Sequence, residues 1–142
     1  MTSDLRIPAL TICQPWAWLI ADGIKRVENR SWETRYRGAL WIHAGKSRKM
    51  LAVAGELRDA GFDVPDDLEF GAIVARVQVV DCVPYDEARL FGDLRSDPFA
   101  SGPYCWVLTR VERLPRPVEC VGALSLWQPG DEVRRECEEQ LV

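Results

Sequence analysis

The sequence predicts an α+β fold, a small mixed β-barrel with flanking helices. Three observations lead there. Short segments rich in β-branched and aromatic residues, bounded by turn signals, dominate the chain. A few helical stretches are inserted between them. In the second half, strand segments follow one another without crossover helices, which disfavours parallel βαβ winding. The 142 residues make one domain, 1–142, long enough to bury a core without a disulfide or metal staple. Hydrophobic residues at 47% and charged residues at 28% are close to the globular average and speak against disorder.

Each element has its own justification. Residues 7–13 are an apolar run with β-branched members, a strand. Pro15 opens a short helix over 16–22, and Gly23 ends it. Residues 25–30 alternate and form either a short strand or an extended loop. Residues 31–38 are polar, basic and aromatic, a surface loop. Residues 39–44 alternate, with Leu40 and Ile42 on one face and Trp41 and His43 on the other. Ser47 can cap a helix reaching about residue 60, with Met50, Leu51, Ala54 and Leu57 on one face. An acidic connection over 61–70 leads to a long valine-rich strand, 71–83, with Arg76 and Gln78 facing outward. Asp86 caps a short helix to Phe91, and 92–102 is a loop. Residues 104–114 form a strong strand, and 117–121 and 123–127 form two short ones divided by Gly122. An acidic helix over 131–141 closes the chain, its Asp131 and Glu132 suited to a helix N-terminus.

The net charge of −4, taken whole, argues against a generic nucleic-acid binder. Resolved along the chain it is uneven. Residues 1–49 hold nine Lys and Arg against four acids, a balance of +5. Residues 50–142 hold nine Arg against eighteen acids, a balance of −9. Such asymmetry suggests a local anionic partner and a solvated acidic remainder, although charges also scatter unevenly without function.

The cysteines Cys13, Cys82, Cys105, Cys120 and Cys137 are odd in number and form no C-x-x-C. A disulfide framework and a structural zinc site are both poorly supported, and a reduced cytoplasmic setting is expected. Cys13, Cys82 and Cys105 sit among apolar neighbours as small core residues. The N-terminal residues carry no apolar signal region, and no apolar run is long enough to span a bilayer. His43 is the single histidine, so a site with two or three His ligands is impossible. The common nucleotide-binding and hydrolase loop motifs are absent. Neither a metal nor a cofactor is expected.

The informative stretch is 14–46, centred on Gly23-Ile24-Lys25-Arg26-Val27-Glu28-Asn29-Arg30 followed by Ser31-Trp32. If 25–30 is extended, Lys25, Val27 and Asn29 share one face and Arg26, Glu28 and Arg30 the other. If it turns, Lys25 and Glu28 can meet. A buried Glu28 needs a cation beside it, and Lys25 or Arg30 can supply one. A plain ion-pair cluster at a loop is the competing explanation. Trp32, Tyr36, Trp41 and His43 interleave with Arg30, Arg35, Arg37 and Lys46. Aromatic faces stack bases and cations hold phosphates, the combination that single-stranded recognition needs. Trp41 serves equally well as a core residue, Trp16 and Trp18 fit core packing better, and a lone His43 is more often structural than catalytic.

These residues resemble the ASCH domain family, the ASC-1 homology domains of the PUA-like superfamily. The matching pieces are Gln14-Pro15-Trp16-Ala17, Gly23-x-Lys25-x-x-Glu28-x-Arg30 with Ser31-Trp32, Tyr36-Arg37-Gly38 and Ile42-His43-Ala44. Later pieces are Phe70-Gly71-Ala72-Ile73-Val74, Gly102-Pro103-Tyr104-x-Trp106-Val107-Leu108 and Gly122-x-Leu124-Ser125-Leu126-Trp127. The resemblance implies a small PUA-like mixed β-barrel with flanking helices, and a cleft lined by Lys25, Glu28 and Arg30. It also implies binding of RNA or another nucleic acid; some relatives are amidohydrolases of acylated cytidine or ribonucleases. The amidohydrolase subset resembles Lys-x-x-Thr-x-Arg at this loop. Here Glu28 holds the threonine position, so that nucleophile does not carry over.

The favoured reading is a module that binds RNA, single-stranded nucleic acid or a modified nucleoside. Lys25, Arg30, Arg37 and Lys46 would hold phosphates, and Trp32 with His43 or Trp16 would flank a base, with Glu28 in the same cleft. The alternative is a hydrolase in which Glu28 activates water and Lys25 stabilises developing negative charge. A third reading is a protein-interaction or coregulator module that docks through the acidic segment 131–142.

Overall fold

The computed structural model describes residues 6–88, 94 and 96–142. Among them the elements run β1 (Ala9–Ile12), α1 (Trp16–Ala21), β2 (Val27–Arg30), β3 (Gly38–Ala44), α2 (Val53–Asp59) and β4 (Ala72–Pro84). They continue with α3 (Tyr85–Ala88), β5 (Tyr104–Glu119), β6 (Leu126–Trp127) and α4 (Asp131–Gln140). The strands form one six-stranded sheet in the order β2-β5-β4-β3-β1-β6, with β1 and β3 parallel and the other pairs antiparallel. The sheet curls into a mixed half-barrel of PUA-like form, as the sequence predicts.

Alternation builds two cores on the two faces of this sheet. Leu10, Ile12, Leu40, Ile42, Val77, Trp106 and Leu108 line the concave face, where Ala17, Ile20 and Ala21 of α1 fill the hollow. Ala9, Trp41, Ile73, Leu114 and Val118 line the convex face, where Cys137 of α4 covers them. β3 is therefore buried on both sides, with a bulge between Ile42 and His43. Cys82, Cys105 and Cys137 are buried and Cys13 only partly so; the five thiols are free. Among the described residues, no helix is long and apolar enough to cross a membrane.

The margins of the curl meet through a side chain. Trp41 and Gly45 N–H donate to the carbonyls of Pro8 and Ile12. Carbonyls alternate sides along a strand, so that of Thr11 faces away from β3. On that side β6 reaches only Ala9 and Leu10. The acceptor left unpaired by the sheet is taken by Arg30 at the end of β2, whose Nη2 donates to Thr11 O at 2.7 Å.

Several expectations are corrected. The helix after Ser47 begins only at Val53; the intervening residues form turns, and Ser47 Oγ accepts from Lys49 N rather than capping the helix. Only Ala54 and Leu57 of its expected face are buried. The strand expected over 117–121 is the end of the long β5, which carries Pro115 and Pro117 within it. Cys120 N–H points to β4 through Gly71 O, so the chain at Pro117 turns its missing N–H to the open edge. The strand over 123–127 shrinks to β6 because Ser125 adopts φ 57. α3 starts at Tyr85 rather than at an Asp86 cap, and its expected end at Phe91 lies outside the described residues, as does part of the 92–102 loop.

Glycine substitutions test this packing. Gly55 sits inside α2 with nothing within 4 Å of an added Cβ. Gly55→Ala should raise stability by about 0.5–1 kcal/mol. Gly102 has φ +77, and an added Cβ collides with the Tyr85 side chain. Gly102→Ala should lower the thermal midpoint, which calorimetry on both variants will show.

Candidate functional site

The Gly-x-Lys spacing has a backbone cause. Gly23, at φ +79, ends α1: its N–H donates to Ile20 O, and Ile24 N–H donates to Leu19 O, a Schellman pattern. The chain then turns back toward the sheet, and Lys25 N–H also donates to Leu19 O. β2 starts two residues later, so Glu28 and Arg30 share one face of a strand while Lys25 precedes it in the turn. Both alternatives for 25–30 are thus realised in part, and Lys25 reaches Glu28.

The result is a buried charged chain. Lys25 is 3% exposed and Glu28 is 7% exposed. Lys25 Nζ lies 3.3 Å from Glu28 Oε1 and also donates to Val27 O. Glu28 Oε2 faces Arg30 Nε at 3.0 Å, an ion pair that is close but not directed, since Nε makes no hydrogen bond. Lys25 Nζ stands 5.8 Å from the Trp16 ring centroid, within cation–π range. Burial pulls the Lys25 amine below its ordinary 10.5, against the opposing pull of the Glu28 carboxylate. The aromatic surroundings include Phe99, edge-on to Trp16 at 6.5 Å, and Trp106, edge-on to Trp32 at 4.9 Å. Trp32 packs against the concave core rather than standing free in its loop.

A second group forms around His43. Its Nε2 lies 2.9 Å from Cys120 O and its Nδ1 lies 3.1 Å from Thr11 Oγ1. A carbonyl can only accept, so Nε2 carries the proton and Nδ1 accepts from the Thr11 hydroxyl. Trp127 Nε1 donates to the same Thr11 oxygen at 3.0 Å. His43 is therefore a neutral, fully engaged structural residue, and its burial lowers its pKa below 6.5. Lys46 is exposed beside this group, its stem laid over Gly71. Arg37 belongs to neither group: it bonds the carbonyls of Thr34 and Tyr36 and approaches Asp81 at 3.6 Å.

Thus Trp16, Lys25, Glu28 and Arg30 come together, Trp32 joins the concave core under Trp106, and His43 with Lys46 forms a separate neighbourhood. Thr11 connects the two groups, its carbonyl to Arg30 and its hydroxyl to His43. Sequence reasoning passed over Thr11, which carries no local signal beyond β-branching. It also passed over the role of Asn29, whose side chain donates to Phe99 O and accepts from Ser101 N and Gly102 N. Asn29 lies inside the Gly-x-Lys motif, and a polar amide in a half-buried strand was the available hint. Among the described residues, no three His, Cys, Asp or Glu converge as a metal-ligand set.

Two predictions test these assignments. Glu28→Ala strands two cations and should cost about 3 kcal/mol in urea unfolding. Lys25→Met should cost clearly less, because Glu28 keeps Arg30. For His43, the unfolded chain takes up a proton near pH 6.5, whereas the folded protein takes it up only at lower pH. Stability at this position is thus complete above that window and falls as pH falls through it. The slope of unfolding free energy against pH should become shallower there in His43→Gln.

Comparison with known proteins agrees with this architecture. The family profile described as ASCH domain matches residues 10–114. Activating signal cointegrator 1 of Homo sapiens is 26% identical over 141 residues, covering 94% of this chain and 24% of that protein. Activating signal cointegrator 1 of Mus musculus is 40% identical over 81 residues, covering 52% of this chain and 14% of that protein. The chain therefore spans less than a quarter of the length of these curated relatives. Among solved structures, ASCH from Zymomonas mobilis superposes with a TM-score of 0.56 at 13% identity, covering 96% of each chain. A point mutant of that protein gives 0.57 at 12% identity, covering 94% and 97%. At such identities the likeness concerns the fold alone. The profile match takes in more than half of the sequence, including the turn that seats Lys25 and the strand that carries Glu28 and Arg30: the chain belongs to the ASCH domain family.

Proposed function

We propose that this ASCH domain binds RNA or another single-stranded nucleic acid, taking a nucleotide at the Trp16–Lys25–Glu28–Arg30 group. The observation that carries the reading is the buried Lys25, bonded to Glu28 beneath Trp16 in the basic third of the chain. Apolar residues would hold this hollow as well as a buried ion pair does, so its charge is better accounted for by recognition of a polar ligand. Exposed Arg26 and Arg35 on the flanking segments would meet phosphates. ASCH domains are generally thought to bind RNA, which agrees with this assignment.

A second reading, hydrolysis of RNA or of a modified nucleoside, draws on the lowered pKa of Lys25. Binding is preferred because both Glu28 oxygens already face cations, so the buried carboxylate is committed to holding Lys25 and Arg30.

The test is a fluorescence titration of single-stranded RNA at low and rising salt. Affinity should fall steeply with salt, and Arg26→Ala or Arg35→Ala should reduce the logarithmic salt slope by about one each. Lys25→Met should weaken binding while the protein stays folded. Absence of binding to RNA, single-stranded DNA and nucleosides at low salt would overturn the proposal. RNA or nucleoside turnover that Glu28→Gln abolishes would replace it with the hydrolase.

A further inference from the structure

We propose that the 120–125 loop is a docking surface for an acidic, apolar peptide segment of a partner protein. The loop presents two large aliphatic side chains to solvent, Val121 at 83% and Leu124 at 92% exposure. It is held from below rather than left loose. Cys120 O accepts from His43, and an ideal Cβ at Gly122 would lie 2.6 Å from Thr11 Oγ1 and 2.7 Å from His43 Cε1. The loop thus sits on the Thr11–His43–Trp127 network with no room for a side chain at Gly122. Ser125 leaves it at φ 57, a left-handed conformation that serine adopts at a cost. Two aliphatic groups held outward by a strained and tightly seated loop have the character of a contact surface.

The surroundings specify the partner's chemistry. Beside the loop, and lined in part by Val121 and Leu124, lies an open cleft of about 400 Å³ that Thr11, His43, Gly71 and Lys46 also border. Lys46 is exposed at its margin, and Arg48, beyond Ser47, is exposed as well. Arg48 is spread over the Phe70 ring at 4.1 Å, which fixes its charge on this side. The surface therefore offers the aliphatic Val121 and Leu124 beside the Lys46 cation, with Arg48 held over Phe70 two residues on. Its complement is a segment in which large apolar residues alternate with Asp or Glu. A nucleic-acid strand fits less well. The projecting groups are aliphatic and give a base no planar face, while the nearby His43 and Trp127 rings are engaged edge to face with each other.

Selection from a library of random peptides displayed on phage, followed by anisotropy titration of the selected peptides, tests the proposal. The selected sequences should be enriched in acids and large apolar residues. Leu124→Ser and Lys46→Glu should each weaken their binding about tenfold, the loss of one buried aliphatic contact or one charge pair. Val80→Ser, which removes an aliphatic side chain 49% exposed on β4, should bind as the wild type does. Thermal midpoints should match across the three variants. No enrichment, a basic or neutral consensus, or undiminished binding by Leu124→Ser would overturn it. So would displacement of the peptide by single-stranded RNA together with an equal loss of RNA affinity in Leu124→Ser. A wild-type dimer in sedimentation that Leu124→Ser dissolves would also overturn it, by making a second copy the occupant. RNA binding that survives in these variants leaves the nucleic-acid assignment standing on its own.

Discussion

One acceptor that the sheet leaves open, the carbonyl of Thr11, organises much of the molecule. β6 begins at Leu126, one residue past the position that would face Thr11, and β3 occupies the other side of the strand. A buried carbonyl without a partner costs as much as a lost hydrogen bond. Arg30 fills that place from the far margin of the curled sheet. The guanidinium in turn requires a counter-charge, and Glu28 is two residues away on the same face of β2. Glu28 then holds Lys25. These contacts link a sheet edge to a buried amine, so the curl of the barrel and the charged group on its concave side are joined through Arg30.

The same threonine separates two chemistries. Its carbonyl side is charged and surrounded by aromatic rings. Its hydroxyl side is neutral: Trp127 donates to it, it donates to His43, and His43 donates to Cys120. Neutral, fully satisfied networks rigidify without attracting ions. The convex neighbourhood of His43 accordingly supports a loop, whereas the concave neighbourhood of Lys25 keeps its charges paired. The basic third of the chain is divided accordingly, with Lys25 and Arg30 turned inward and Lys46, Arg48 and Lys49 turned out.

Much of this was legible from residue patterns. The alternation of 39–44 placed Leu40 and Ile42 opposite Trp41, and the structure puts them in two different cores. Pro15 and Gly23 bracket α1 as expected, because one lacks a needed donor only where none is needed and the other tolerates positive φ. A buried Glu28 needs a cation from Lys25 or Arg30, and the structure supplies both, Lys25 from the turn and Arg30 from the strand. Legibility failed where local signals competed. Ser47 has the residue type of a cap, yet the Ala54 and Leu57 contacts of α2 start the helix six residues later. Pro115 and Pro117 look like strand breakers, yet they lie where β5 has lost its outer neighbour β2.

Residue types and spacing by themselves determined the α+β class and marked the 25–30 segment as a charged cluster, because periodicity, turn chemistry and ion pairing are short-range; the family followed from the resemblance of whole motifs. Tertiary structure alone decided that Thr11 joins Arg30 to His43, that His43 is neutral and structural, and that Val121 and Leu124 stand in solvent. Those outcomes depend on which strand ends where. Thr11 and Trp127 are 116 residues apart, and a hydrogen bond across that separation exists only once the sheet has closed around both.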